Sequence, residues 1–442
     1  MSDTDVERGA DPSHPLPRAA LGMRAVLRYP DLRRLVVAQA ISDIGDGMTF
    51  TALLLLVNAV TDSTAALALM SIALAVPPFT IGLVAGAIAD RHDRRRIMLV
   101  ADTVRAVLVA GLAFAGTSQS LPVLYLLAFA QAGVGSFFSP ARSALIPRTV
   151  PPEGLLAASA LNQTTRVAFG VLGTAVTGLV AATLGVVWPV FLADAATFLA
   201  SVAIVSRVSP SIGRLQDAGE PSKRGLAASV VDGLGIVARS RTLVATLLGT
   251  VVALLGLGAV NVLFIPLIVD ELRAGPAWLG PVELAQVASM ILAASIVAPI
   301  ATRLGPPRVV VLGLAGVGAA VGALSFATSI WIVLAAVFAV GWFLTPLHGA
   351  TTTLVQTTAG DAARGRVAGA FQAAMSAAQV ASMALAGVFA DLFAVRDVFL
   401  VGGLTCLLGA GCAALLYPRA SLRRAAVPAT TGTTSDPSPT PA

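Results

Sequence analysis

The chain has 442 residues, 56% of them hydrophobic and 12% charged, with a mean hydropathy of +0.86 and a formal net charge of +6. That is more apolar surface than a water-soluble core of this length can bury, so the composition calls for a bilayer as solvent. The positive charge falls in short runs between apolar segments, which excludes a basic nucleic-acid-binding module as its explanation.

The first 33 residues carry Asp3, Asp5, Glu7 and Asp11 among prolines, and lack the short apolar core of a cleavable leader. Apolar runs long enough to cross hydrocarbon, which takes about 20 helical residues, follow at 34–58, 65–89, 97–116, 121–139, 155–182, 186–206, 242–269, 278–302, 309–327, 330–354, 367–390 and 398–417. The runs are continuously apolar, whereas barrel strands alternate and are half as long, so helices are expected. The longest polar interval divides the spans six and six. The expected plan is a cytoplasmic segment 1–33, a six-helix bundle 34–207, a cytoplasmic linker 208–241, a second six-helix bundle 242–417 and a cytoplasmic tail 418–442, whose end is too polar to pack. FFSPAR at 137–142 and FLTPLH at 343–348 echo each other 206 residues apart, the signature of a parallel repeat. The fold class expected is therefore an all-α membrane protein of twelve transmembrane helices in two pseudo-repeat bundles.

Arginines crowd into the N-terminal segment, the even-numbered connections and the tail, while the opposite side receives only Arg273 and Arg396. By the positive-inside rule the crowded side and both termini are cytoplasmic. Arg105 and Arg166 fall inside predicted helices. Cys406 and Cys412 lie six residues apart on one predicted helix, about 9 Å along its axis, and read as small apolar fillers rather than a disulfide. With three histidines and no Cys or His cluster, neither a metal site nor a cofactor is expected. Lys223 follows Ser222 where a phosphate-binding loop needs glycine, so the chain does not supply its own ATP hydrolysis.

The densest charge lies between the second and third spans, where Asp90 to Arg96 carry six formal charges in seven residues. A topological anchor needs only arginines, yet an acid comes first. The pattern Gly86-x-x-x-Asp90-Arg91-x-Asp93-Arg94-Arg95-Arg96 resembles the signature loop between helices 2 and 3 of the major facilitator superfamily, with Asp93 in place of its usual second glycine. The likeness covers residues 24 to 417, and LRRLVVAQAISDIGDGMTF at 32–50, the stretch from FFSPAR to residue 166 and FLADAATFLAS at 191–201 are similar to the branch that includes enterobactin exporters and macrolide-efflux proteins. The resemblance implies two bundles rocking about a central cavity, driven by an ion gradient, usually of protons. It also implies a gate in which Asp90 meets the start of the eleventh helix near Arg366 and Val367, and Arg142 at the end of the fourth. The sequence departs from the pattern at ATRLGPPR (301–308), which lacks the acid, at Thr174 and Thr177, which stand where Pro and Gly are usual, and at Gln131, where many proton antiporters carry arginine.

An ionisable residue at the bilayer centre costs roughly 2.5–3.5 kcal/mol on insertion scales, so each needs a partner or a function. Asp102 and Arg105 are three apart and can pair along one helix, or take part in coupling. Asp43 and Asp46 share a face of the first span; Asp46 is a proton-carrying candidate, the alternative being hydrogen bonding and the capping of a helix break at Gly45 and Gly47. Asn162, Arg166, Gly170, Gly173 and Thr177 form a polar, small-residue stripe that should point inward. Arg166 and Asp194 are expected to pair across helices or to titrate in turn. Gln372, Ser376 and Gln379 repeat such a stripe on the eleventh helix. Phe50, Phe137, Phe264 and Phe343 fall on helices 1, 4, 7 and 10, which line the cavity in the family; with Gln131, Asn162, Gln372 and Gln379 they are the candidates to meet substrate, packing being the plainer role for the aromatics. His348 is expected to hydrogen-bond within its bundle.

The function expected from the resemblance is export of a small amphipathic compound, a drug, antibiotic, siderophore or secondary metabolite, by proton antiport. The partners expected are that small molecule, protons and the lipid bilayer, with no nucleic acid, and one chain as the functional unit. An importer of the same fold and a non-transporting sensor or scaffold are the alternatives; an enzyme is not expected, since no nucleophile and base recur at workable spacing.

Overall fold

The structure, a computed structural model, describes residues 22–61, 63–89, 91–118, 120–213, 226–360 and 363–418. Twelve helices long and apolar enough to span a membrane run through them. They are Pro30–Val60 (α1), Thr64–Ala89 (α2), Arg94–Ser118 (α3), Leu121–Leu145 (α4), Leu155–Leu184 (α5), Trp188–Val205 (α6), Arg241–Pro266 (α7), Leu279–Leu304 (α8), Pro306–Leu324 (α9), Ile330–Thr358 (α10), Arg364–Leu392 (α11) and Val395–Leu416 (α12). Local chemistry marks their ends. Proline occupies the first turn of α1, α4, α6 and α9, where its missing N–H costs nothing. Gly185, at φ +68°, closes α5, and Gly305, at φ +80°, makes the sharp turn between α8 and α9. Ser240 accepts a hydrogen bond from the Leu243 N–H and caps α7. The seventh predicted span stops short as an α-helix: at Pro266, which has no N–H to continue the ladder, it passes into a π-helical turn over Leu267–Glu271.

The first six helices pack in five principal pairs: α1 with α5, α1 with α6, α2 with α4, α3 with α4 and α3 with α6. The same five recur six helices later as α7 with α11, α7 with α12, α8 with α10, α9 with α10 and α9 with α12. This is the parallel repeat that FFSPAR and FLTPLH announce, and the prolines of those motifs, Pro140 and Pro346, sit inside the equivalent helices α4 and α10. Between the halves a further helix, Leu226–Ala238, packs on α11, with Gly233 against the Arg366 carbonyl and Asp232 3.7 Å from the Arg366 guanidinium.

No break interrupts α1 at Gly45 and Gly47. These glycines instead let neighbours approach. A Cβ at Gly47 would lie 2.1 Å from the Gly170 carbonyl oxygen of α5, and one at Gly173 would lie 2.0 Å from the Ile44 carbonyl oxygen of α1. Both obstacles are backbone, so α1 and α5 must part to admit a methyl. Gly47→Ala and Gly173→Ala are each expected to destabilise by about 1–3 kcal/mol or more, read as a lower midpoint in thermal unfolding followed by size-exclusion fluorescence. Gly170→Ala is the control: its Cβ meets nothing within 4 Å, and helix propensity favours alanine by up to about 1 kcal/mol.

The halves meet at the arginine-poor end. There a Cβ on Gly387 of α11 would come within 2.2 Å of the Ala68 Cβ on α2, and one on Gly280 of α8 within 2.4 Å of the Ala175 Cβ on α5; Gly178 packs as closely on the Pro276 carbonyl. The Asp391 carboxylate, at the end of α11, accepts from the Thr64 hydroxyl at 2.6 Å, the Thr64 N–H at 3.1 Å and the Ala65 N–H at 3.3 Å, capping α2 from the other half. Asn58 donates to Asp270 at 3.0 Å beside it. Toward the arginine-rich end a cleft of 1130 Å³ separates α2 and α4 from α11, reaching Ser139, Pro140, Gly365 and Arg366.

Candidate functional site

Three groups of polar residues stand out. The first is a charged network on α1, α3, α4 and α6. Arg105 is 5% exposed; its guanidinium donates to Asp46, stands 3.9 Å from Asp102 and lies 4.1 Å above the Phe198 ring. Gln131 reaches the same Asp46 oxygen at 3.4 Å, and the Ser201 hydroxyl donates to Asp102 at 2.6 Å. The pair expected along α3 therefore exists, but the closer partner of Arg105 is across the bundle on α1. Gln131, standing where the resemblance leads one to look for arginine, lends an amide to that same acid.

Asp194 is fully buried on α6, where Thr49 donates to one carboxylate oxygen at 2.6 Å and Thr197 to the other at 3.0 Å. A Cβ at Gly45 would fall 1.8 Å from that carboxylate, so the glycine makes room for the acid. The expected pairing of Arg166 with Asp194 does not form. Arg166 is exposed on α5 and donates to Gln163 at 3.3 Å, while two hydroxyls already satisfy Asp194. Asp43 receives the Gln39 amide and keeps one buried oxygen without a hydrogen bond among the described residues. Arg142 is likewise 5% exposed; among the described residues its Nε and Nη1 make no hydrogen bond, and its guanidinium lies 5.9 Å from the Phe138 ring.

The second group is the loop from α2 to α3. Asp90 lies outside the described residues. Asp93 accepts from the Arg95 N–H at 2.9 Å and the Arg96 N–H at 3.1 Å, so the acid that replaces the usual glycine is the N-cap of α3. Arg94 donates to the Ala144 carbonyl at 3.2 Å, and Arg95 to the Val205 carbonyl at 3.3 Å and to the Ser206 carbonyl. Each guanidinium thus serves the last carbonyls of a neighbouring helix, α4 or α6, where a cation is favoured. Arg91 is exposed, and a Cβ at Gly86 would meet nothing within 4 Å.

The third group lies between the halves. A cavity of 160 Å³ is lined by Phe50 and Thr51 of α1, Thr174 of α5, Asn261 and Phe264 of α7, and Glu283 and Gln286 of α8 among apolar neighbours. Thr51 donates to the Thr174 hydroxyl at 3.0 Å within the first half, and Glu283 of the second half borders the same cavity. Thr177 donates to the Met48 carbonyl at 3.1 Å. Glu283 is the residue that motif and stripe reading pass over, although a lone acid inside an otherwise apolar span is itself a signal.

Of the remaining candidates, Gln372 lines both the large cleft and a 370 Å³ chamber within the second half. Phe343 packs its ring on Gly316 and takes a packing role on α10. Phe137, Asn162 and Gln379 are half-buried on α4, α5 and α11 and line none of these three cavities. His348 borders the 370 Å³ chamber, and among the described residues its imidazole makes no hydrogen bond, so the bond expected within its bundle does not form there.

The family of transmembrane secretion effectors, within the major facilitator superfamily, matches this chain over residues 22–438. The chain belongs to that family. It is 30% identical over 390 residues to the MFS-type transporter YfiS of Bacillus subtilis, covering 85% of this chain and 90% of that one. It is 28% identical over 392 residues to the multidrug efflux pump Tap of Mycolicibacterium fortuitum, covering 85% and 92%. Among solved structures, the nucleoside transporter NupG superposes with a TM-score of 0.72 at 10% identity, over 88% of this chain and 99% of that chain, a likeness of fold. The protein is thus a multi-pass membrane transporter of the MFS type and not an enzyme, and members of this family that resemble it include multidrug efflux pumps.

Proposed function

We infer that this transporter exports a small amphipathic compound across the plasma membrane by proton antiport, as a single chain with both termini cytoplasmic. The observation that carries the reading is the asymmetry of the inter-half contact: sealed at the arginine-poor end through Asp391, Gly387 and Gly280, and parted at the arginine-rich end around the 1130 Å³ cleft. With arginines on the cytoplasmic side, this is the state that takes up a substrate from the cytoplasm. In the opposite state Asp90 meets the start of α11 near Arg366, with Arg142 beside it, and Arg94 and Arg95 hold the loop to α4 and α6. Protons reach the acids of the first half, Asp46 and Asp194 foremost, with Asp43, Asp102, Arg105 and Arg166 in the same electrostatic neighbourhood.

The test is transport in proteoliposomes under an imposed pH gradient, screened over neutral and charged amphipathic compounds. Asp194→Asn and Asp46→Asn are expected to abolish gradient-driven flux while leaving substrate exchange across the membrane within about threefold of wild type. Unchanged gradient-driven flux in both variants removes these acids from coupling. Substrate that accumulates on the cytoplasmic side instead makes the protein an importer.

A further inference from the structure

The acids within the helices of the two halves differ in what surrounds them. Asp46 and Asp102 share Arg105, and Asp194 is held by two threonines. Glu283 lies in the second turn of α8, four residues from its start, and no Lys, Arg or His among the described residues forms an ion pair with it; the Thr174 hydroxyl borders the same cavity. It borders a 160 Å³ cavity whose other walls include the rings of Phe50 and Phe264. Phe50 is 44% exposed, so its ring is not used up in packing. An anionic ligand would meet a carboxylate there and no cation, and a purely apolar one would strand that carboxylate in a low-dielectric pocket. A positively charged nitrogen suits these walls: the carboxylate supplies counter-charge, the phenyl faces attract a cation within about 6 Å, and for an amine that carries N–H groups the side-chain carbonyls of Asn261 and Gln286 can accept them.

We propose that this cavity binds the headgroup of an organic ammonium ion, with Glu283 as its counter-ion and Phe50 and Phe264 as its aromatic walls. The volume supports a headgroup rather than a whole molecule, since sites that enclose drug-sized ligands run to about 300–1,000 Å³. The placement gives the site a part in transport. Phe50 and Thr174 come from the first half and Phe264, Asn261, Glu283 and Gln286 from the second, so the bound cation touches both bodies and its site is taken apart when they move. The proposal rests on the exporter reading and narrows the exported compound to an amphipathic amine or quaternary ammonium.

The experiment is equilibrium binding to the purified full chain in nanodiscs by isothermal titration calorimetry, with benzyltrimethylammonium, its neutral isostere neopentylbenzene and the anion benzenesulfonate as probes. Wild type is expected to prefer the cation to either other probe by at least tenfold. Glu283→Gln should weaken cation binding tenfold or more, Phe264→Leu threefold or more, and Glu283→Asp should retain most of it. Equal affinity for the three probes in wild type, or wild-type affinity for the cation in Glu283→Gln, overturns the proposal. If Glu283→Gln does not yield a monodisperse protein, Phe264→Leu decides, and an unchanged affinity there overturns it too. The two readings fail separately. Flux of neutral compounds without ammonium binding sinks the headgroup site alone, whereas ammonium binding without flux of any compound in proteoliposomes sinks the exporter alone.

Discussion

Asp391→Ala is expected to open the arginine-poor end. In wild type that carboxylate caps α2 from the opposite half, through two backbone N–H groups and the Thr64 hydroxyl. Loss of a helix cap costs about 0.5–2 kcal/mol. Here the loss falls on one conformation only, because the capping group and the capped helix belong to different bodies. A bias of one to two kcal/mol corresponds to a change of roughly 5–30-fold in the ratio of the two states. Asp391→Asn keeps an acceptor oxygen and should shift the ratio less than alanine does, and Thr64→Val should add little on top of Asp391→Ala. Spin labels at Thr61 and Val395, one from each half and both lining a cleft at this end, report the change as a longer-distance population in electron-resonance distance measurements, once Cys406 and Cys412 are replaced. The sharper test pairs the two ends of α2 and α11. Asp90 follows the last residue of α2 as Asp391 lies at the close of α11, and the gate proposed for Asp90 biases the same equilibrium the other way. Asp90→Asn with Asp391→Asn should therefore bring the ratio back toward wild type. A double variant displaced as far as the worse single one would show that the two acids do not act on one equilibrium.

Arg105→Met is expected to be the most damaging single change in the first half. The guanidinium is the cation that holds both Asp46 and Asp102, and it sits above Phe198 with 5% exposure. Removing it leaves Asp102, fully buried, without its cation, and breaking a buried pair costs about 3–5 kcal/mol, more than the pair's net worth when intact, while Asp46, with its side chain 38% exposed, keeps access to water. Expression as a monodisperse protein should fall steeply, and the thermal midpoint with it. Arg105→Lys restores charge but not the two-pronged geometry and should recover only part. Adding Asp46→Asn and Asp102→Asn to Arg105→Met removes the carboxylates left without their cation, so this triple variant should regain stability while remaining without coupled transport. Failure of the triple variant to regain any stability would mean that Arg105 acts through packing on Phe198 rather than through charge.

The spans were legible because a run of Ala, Leu and Val some twenty residues long has one economical use, and the connections because arginine does not lie comfortably in lipid. The repeat could be read from two six-residue motifs, FFSPAR and FLTPLH, which the packing places on equivalent helices. Partners across helices could not be read in the same way. Spacing along α3 shows that Asp102 and Arg105 are neighbours, but only the meeting of α1 and α3 makes Asp46 the nearer acid. Arg166 and Asp194 looked complementary as two charges in adjacent spans, yet Thr49, an ordinary hydroxyl of α1, takes the place that pairing needs. Thr174 and Thr177 show up in the sequence as departures from a pattern, and their reason is tertiary: one accepts from the Thr51 hydroxyl and the other donates to the Met48 carbonyl. Asp93 was the reverse case, a departure whose cause is local, since any acid just before a helix can cap it.

The glycines at the arginine-poor end fix the range of the force that closes the protein. Gly387 on Ala68, Gly280 on Ala175 and Gly178 on Pro276 bring main chains together with nothing larger than an alanine methyl between them to stretch or fold. Dispersion across such a contact loses a quarter to a half of its strength within about an ångström of separation. The two bodies therefore feel nearly the whole attraction or almost none, and partly parted arrangements have little to hold them. A long, pliant contact would let the seal thin by degrees and pass solutes while doing so; a short-ranged one behaves as a latch, and the permeability barrier is intact up to the moment it is given up.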